Sequence, residues 1–220
     1  MQLTVYLISG QAADEKLFEN LKLPSNLKTR NVHWIEPLKD ESLQHYCGRL
    51  SEQVDASGEF VLIGVSLGGI VSVELNKILN PKRIIIISSI ATRYELRPAL
   101  KLIRLFKIHK LVPGALYKLY TPLLSWFFGA QTEREKNLLK FYTKKASKNY
   151  MKWAINQVVN WKNETRPSNL FHLHGTMDRI FPYNTTHADV KIEGGTHLMV
   201  HNRADEISAI LSEQLNGLSK

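Results

Sequence analysis

Cysteine is nearly missing from this chain: Cys47 stands alone, so no internal disulfide is possible and stability has to come from a buried core. No apolar run reaches the roughly 18 residues of a membrane-spanning helix. No charged segment leading into an apolar stretch marks a secretory signal. The expectation is therefore a cytoplasmic protein. No Gly-rich phosphate loop is present, and the eight histidines show no metal-ligand spacing with carboxylates or Cys47, so no cofactor and no metal are implied. Linker-like Pro or Gly/Ser tracts, internal repeats and low-complexity segments are also lacking. At 220 residues and 44% hydrophobic content, the chain reads as one domain or one domain carrying an insertion. Cys47, beside Tyr46 in a predicted helix, reads as a small half-buried hydrophobe and not as a nucleophile.

Acidic residues are scarce in one segment only. Residues 91–166 hold 16 Lys and Arg against four acids, a net +12, whereas the rest of the chain carries −3 of the overall +9. The positive charge belongs to that segment. It could draw in an anionic substrate, lie on an anionic membrane surface or form a solvated face. No nucleic-acid recognition motif accompanies it, so nucleic acid is not expected as a partner.

What is present is organised around Phe60 to Leu75. A buried-strand run ends near Ile63, Gly64-Val65-Ser66-Leu67-Gly68 follows, and Ile70, Val73 and Leu75 recur with rough helical spacing. Such a strand-to-helix turn lifts a serine side chain above the sheet, over a helix N-terminus, and needs small neighbours where backbones pass closely. Before it, Leu3–Ile8 reads as a buried strand ending at Ser9-Gly10, Ala12–Leu21 as helix-compatible, Val32–Ile35 as a short strand, and Ser42–Val54 as a helix. After it, the helix runs to about Leu79, and Arg83–Ser88 is a strand. This alternation predicts an α/β protein with a mostly parallel sheet and helices on both faces. It lapses over residues 91–163, which offer helices broken by Pro98, Pro113-Gly114, Pro122 and Gly129. The strand pattern then resumes at Leu170–His174 and near Asp189–Ile192, before a final helix from about Ala204 to Leu215.

A nucleophilic serine needs a base, and the base an orienting carboxylate, both at the carboxyl ends of later strands. Asp178 lies just beyond the resumed strand, and His197 follows the last one, with His201 as a competing base. His172 and His174 alternate with apolar residues along a strand and read as structural. Taken together, Gly64-Val65-Ser66-Leu67-Gly68-Gly69, His174-Gly175-x-x-Asp178 with Pro182, and Gly194-Gly195-x-His197 resemble the α/β-hydrolase family, from Leu3 to Leu215. The resemblance implies Ser66 as nucleophile, His197 as general base and Asp178 as its orienting carboxylate. It implies an oxyanion hole from the backbone N–H groups of Gln11 and Leu67. Two positions depart from the family pattern: Ser9-Gly10 stands where a His-Gly pair is frequent, and Val65 where an aromatic residue or His is frequent. The short lead into the first strand implies about six strands instead of the usual eight.

By the same resemblance, residues 1–90 and 164–220 form the hydrolase core, and 91–163 a helical cap over the site. Within the cap, Leu102, Leu105, Phe106 and His109 share one face of a predicted helix, with Lys101, Arg104 and Lys107 opposite. A second block holds Leu116, Leu119, Tyr120, Leu123, Leu124, Trp126, Phe127 and Phe128. Leu102, Phe106, Tyr120 and Trp126 are the expected substrate-lining residues. The implied activity is hydrolysis of a small or medium carboxylic ester or thioester through an acyl-enzyme. Related acyl transfer, carbon-carbon bond hydrolysis, or a ligand-binding receptor that keeps the triad are the alternatives. The expected partner is a small-molecule ester or thioester substrate, an anionic one included, and the expected state a monomer or homodimer.

Overall fold

The computed structural model describes residues 2–97 and 121–218. Six strands form one sheet in the order β2-β1-β3-β4-β5-β6, with every neighbouring pair parallel. They are β1 (Thr4–Ile8), β2 (Lys28–Val32), β3 (Phe60–Val65), β4 (Arg83–Ile87), β5 (Leu170–Gly175) and β6 (Val190–Ile192). Among the described residues the helices are α1 (Leu43–Leu50), α2 (Leu67–Leu79), α3 (Pro122–Phe128), α4 (Glu133–Lys145), α5 (Lys148–Asn160), α6 (Met199–Asn202) and α7 (Ala204–Asn216). This is the doubly covered sheet that unbroken apolar runs such as Ile84–Ile87 require, since both faces of a central strand must find a partner.

Residue alternation divides the core in two. Tyr6, Ile8, Leu62, Ile84 and Ile86 face α1, α2 and α5, whereas Val5, Leu7, Val61, Ile63, Ile85 and Ile87 face α6 and α7. Cys47 is fully buried on α1, and burial pushes its thiol well up, so it stays protonated.

Two local expectations are corrected. The strand expected at Val32–Ile35 ends where it was to begin, because β2 pairs with β1 through Lys28–Val32. Trp34 instead turns back, its indole N–H donating to Ser9 Oγ and the Gly10 carbonyl, both at 3.0 Å. The helix-compatible stretch Ala12–Leu21 yields only a 3₁₀ turn, Glu15–Phe18, capped by Asp14.

Between β4 and β5 the regular elements among the described residues are helices, and side chains moor them to residues that flank the sheet. On α5, Trp153 Nε1 donates to the Glu41 carbonyl at 2.8 Å, and just past its end Trp161 Nε1 reaches Glu74 Oε1 at 2.8 Å. The charge asymmetry has a partial structural counterpart here. Lys145 pairs with Asp14, Arg134 with Glu19, and Arg166 with Asp189, so part of the basic segment sits against the acids of the remainder. Such exposed pairs contribute little stability, about 0–1 kcal/mol each, but they fix a register between α4 and the Asp14–Glu19 stretch. No helix among the described residues is long and apolar enough to cross a membrane.

Candidate active site

Ser66 is the residue between β3 and α2, and its backbone is strained at φ 54°, ψ −118°. A non-glycine residue so placed costs about 1–3 kcal/mol and persists only where its surroundings hold it. Here its N–H donates to the Ile87 carbonyl at 3.0 Å, and its own carbonyl accepts from Gly69 N–H at 2.9 Å and Ser89 Oγ at 2.6 Å. The turn is also pressed against the end of β1. A Cβ on Gly68 would stand 2.2 Å from the Ile8 carbonyl oxygen, which only a glycine avoids. That close approach brings the Gly10–Ala13 loop beside Ser66.

Asp178 and His197 reach the same point from two other strand ends. His197 Nε2 lies 2.9 Å from Ser66 Oγ, and Nδ1 lies 2.7 Å from Asp178 Oδ2. Asp178 Oδ1 accepts the backbone N–H groups of Ile180 (2.8 Å) and Phe181 (3.0 Å), so the carboxylate is held on both oxygens. An acceptor on Nδ1 assigns the proton there and leaves the Nε2 lone pair facing the serine hydroxyl. His201 is elsewhere: it sits on α6 with Nδ1 3.3 Å from Asn20 Nδ2.

The backbone N–H groups of Gln11 and Leu67 donate to no other described residue. Both residues line, together with Ser66 and His197, a cavity of about 490 Å³. Its walls come from Leu124, Phe127 and Phe128 of α3, Leu139 of α4, and Met151, Ile155 and Val158 of α5. Among the described residues no Asp, Glu, Lys or Arg lines it. Trp126 is not a lining residue. Its side chain is on the outer face of α3, 53% exposed, packed under the Arg179 guanidinium, while the inner face of this short helix is taken by Leu124, Phe127 and Phe128. Leu102, Phe106 and Tyr120 lie outside the described residues, as do Lys101, Arg104 and Lys107.

Sequence reasoning passed over the surroundings of the imidazole. Phe128 and Phe181 meet His197 edge-on at 5.2 and 5.8 Å between ring centroids. His174 Nε2 lies 2.7 Å from the Phe181 carbonyl and 3.5 Å from Asp178 Oδ2, and His172 Nε2 contacts His174 Nδ1 at 2.9 Å. Burial pushes the pKa values of both histidines down, keeping them neutral beside the carboxylate. Their alternation with apolar residues along β5 reads as structural, and does not show that one would abut Asp178. Among the described residues no three His, Cys, Asp or Glu side chains converge to hold a metal ion.

Sheet order, strained serine turn and loop placement define the α/β-hydrolase fold. Solved structures share it over nearly the whole chain. The thermophilic esterase of Thermogutta terrifontis aligns with a TM-score of 0.67 at 16% identity, over 100% of this chain and 92% of its own. The 2-hydroxy-6-oxo-6-phenylhexa-2,4-dienoate hydrolase of Rhodococcus sp. strain RHA1 aligns at 0.68 and 16%, over 98% and 91%. A structure from a study of carboxylesterases of the thaumarchaeon Nitrososphaera gargenis aligns at 0.70 and 17%, over 98% and 90%. No protein-family model and no curated protein matches the sequence.

Proposed function

We propose that the protein is a serine hydrolase that cleaves carboxylic esters or thioesters of medium, uncharged, apolar acyl chains through an acyl-enzyme. The observation that carries this reading is the Ser66–His197–Asp178 hydrogen-bond chain, with contacts of 2.9 and 2.7 Å, opening on an apolar cavity. The Nε2 lone pair of His197 takes the Ser66 hydroxyl proton as Oγ attacks the acyl carbon. Negative charge then develops on the former carbonyl oxygen, and the N–H groups of Gln11 and Leu67, which donate to no other described residue, receive it. One such donor is typically worth about 10²- to 10³-fold in kcat. The imidazolium, stabilised by Asp178, protonates the leaving group. Water then repeats the sequence on the acyl-enzyme, with His197 again as base.

The cavity wall supports an uncharged acyl group. A carboxylate buried there would lose its hydration with no cation among the described lining residues to replace it. The α/β-hydrolase fold shared with esterases makes this chemistry available, while the acyl preference rests on the cavity alone. The test is to label the protein with a fluorophosphonate and to follow p-nitrophenyl ester hydrolysis. Sustained turnover that vanishes in Ser66→Ala supports the reading. Labelling without turnover would instead favour a ligand-binding receptor, and undiminished turnover in Ser66→Ala would exclude the assignment.

A further inference from the structure

The loop that would carry one oxyanion donor is a tight turn, and it is held from outside by two side chains to which the catalytic proposal gives no role. Gly10 and Ala13 close the turn, with Ala13 N–H donating to the Gly10 carbonyl at 3.0 Å. Ala12, its third residue, has φ 64°, a left-handed conformation that L-residues adopt at a cost. Without support the turn would relax, and the Gly10–Gln11 peptide, whose plane holds both the Gly10 carbonyl and the Gln11 N–H, would rotate with it.

The support is a short relay. Trp34 Nε1 donates to both the Gly10 carbonyl and Ser9 Oγ, each at 3.0 Å, and Ser9 Oγ donates onward to the Ala13 carbonyl at 2.8 Å. Both ends of the turn are thereby tied to one indole. The indole is itself fixed, since its ring packs against Tyr150 at 5.9 Å and Tyr46 at 6.4 Å between centroids. Tyr46 Oη in turn bridges the Ile35 carbonyl (2.8 Å) and N–H (3.1 Å), holding the segment that presents Trp34. Ser9 is buried, so its hydroxyl has no ready water to replace these partners.

We propose that Trp34 and Ser9 are positioning residues that hold the Gly10–Ala13 turn so that the Gln11 N–H faces the developing oxyanion. This rests on the hydrolase reading above. It also accounts for serine at position 9, since a small hydroxyl is the group that can accept from the indole and donate to Ala13 across this turn. Neither residue is among those lining the cavity, so their loss acts on the transition state and leaves ground-state binding in place.

The test uses the full chain with Trp34→Phe, which keeps the ring and removes the N–H, and Ser9→Ala, which removes one oxygen. With a medium-chain p-nitrophenyl ester, kcat should fall by about 10-fold, and by no more than the roughly 10²-fold that a 1 Å misplacement costs. KM should hold within about twofold, as expected when only a transition-state contact is lost. An alkyl trifluoromethyl ketone, which forms a tetrahedral adduct with serine, should lose affinity in step with kcat. The corresponding alcohol, which forms none, should not. The double variant should be little worse than either single one, because one relay is broken once. Unchanged kcat in both variants, or equal loss of affinity for ketone and alcohol, would overturn the positioning role. Should Trp34→Phe fail to fold, Ser9→Ala decides alone. If turnover by the unaltered chain does not depend on Ser66, the hydrolase reading falls and this proposal with it; Ser66-dependent turnover with unaffected variants removes the positioning role only.

Discussion

Arg179 and Trp126 clasp one another across the rim of the site: the guanidinium carbon lies 4.4 Å from the ring centroid, and Nη1 donates to the Trp126 carbonyl at 2.8 Å. Arg179 is the neighbour of Asp178, while Phe128, two residues beyond Trp126, lies edge-on to His197. Helix α3 is therefore fastened to the loops that carry both the carboxylate and the imidazole.

The junction after α3 is tight enough to predict a consequence. Gly129 has φ 71°, and a Cβ there would stand 2.4 Å from the Cβ of Thr196, the neighbour of His197. Gly129→Ala should lower kcat by about 10- to 100-fold, since it must displace the histidine loop by a fraction of an ångström to an ångström. Arg179→Ala should cost less, because a half-exposed cation–π contact contributes about 0.5–1 kcal/mol. Kinetics of the two variants beside their melting temperatures check this. Equal kcat for Gly129→Ala and the unaltered chain would show that α3 does not constrain the loop.

Within the proposed triad, His197→Ala should abolish turnover, and Asp178→Asn should reduce kcat by several orders of magnitude, about 10⁴-fold in the best-studied triad. His201→Ala should leave kcat within about twofold, as its ring faces Asn20 instead of Ser66. Circular dichroism of each variant separates lost chemistry from lost fold. Activity that survives in His197→Ala but not in His201→Ala would reassign the base.

Chain-length preference should reside in α5. Ile155→Trp places a bulky ring in the cavity wall, so hydrolysis of octanoyl esters should fall more than tenfold while acetyl esters stay within about threefold. An ω-carboxylated acyl chain should be a poor substrate for the unaltered protein. A kcat/KM series over acyl length and terminal charge measures both.

Acid stability should depend on Glu41. Arg49 grips both its oxygens at 2.7–2.8 Å, and with the Leu38 N–H and His45 beside it the carboxyl is pulled from 4.5 to about 2. A carboxyl whose folded pKa lies below its unfolded one adds stability that is complete above about pH 4.5 and disappears as pH falls towards 2. Urea midpoints should therefore drop between pH 5 and 2, and Glu41→Gln should start lower at pH 6 and fall less steeply. Parallel slopes for the two proteins would assign acid lability to other carboxyls. The Glu41 carbonyl also holds Trp153, so amide protection in α5, measured against the intrinsic exchange rate at each pH, should fall over the same pH range.

How legible these features were in the sequence depended on how local their causes are. The turn at Ser66 is specified by Gly64, Gly68 and the apolar runs on either side, all within a few residues, and the motifs around Asp178 and His197 are equally compact. Strand β2 left no trace, because Lys28, Thr29, Arg30 and Asn31 are all exposed and it is held by main-chain bonds to β1, with no apolar alternation to betray it. Trp34 reads as part of a short strand, Val32–Ile35, while its actual partners, Ser9 and Gly10, lie 25 and 24 residues away. Which aromatic of α3 faces the cavity is likewise a property of helix rotation, expressed in distant contacts such as Phe128 with His197 and Trp126 with Arg179.

The make-up of β2 has a further meaning for how copies of this chain meet one another. An outermost strand offers a free row of N–H and C=O groups to any passing extended segment, and the two such rows here belong to β2 and β6. Exposed Lys28 and Arg30 crowd the first with like charge, so a second β2 laid alongside meets repulsion before it meets hydrogen bonds. The second is only three residues long, with Lys191 exposed at its centre, too short to template a lasting pair. A sheet whose interior is rich in Val, Ile and Leu thus ends on both sides in strands that discourage runaway pairing, protecting the chain from aggregation while that interior is still being assembled.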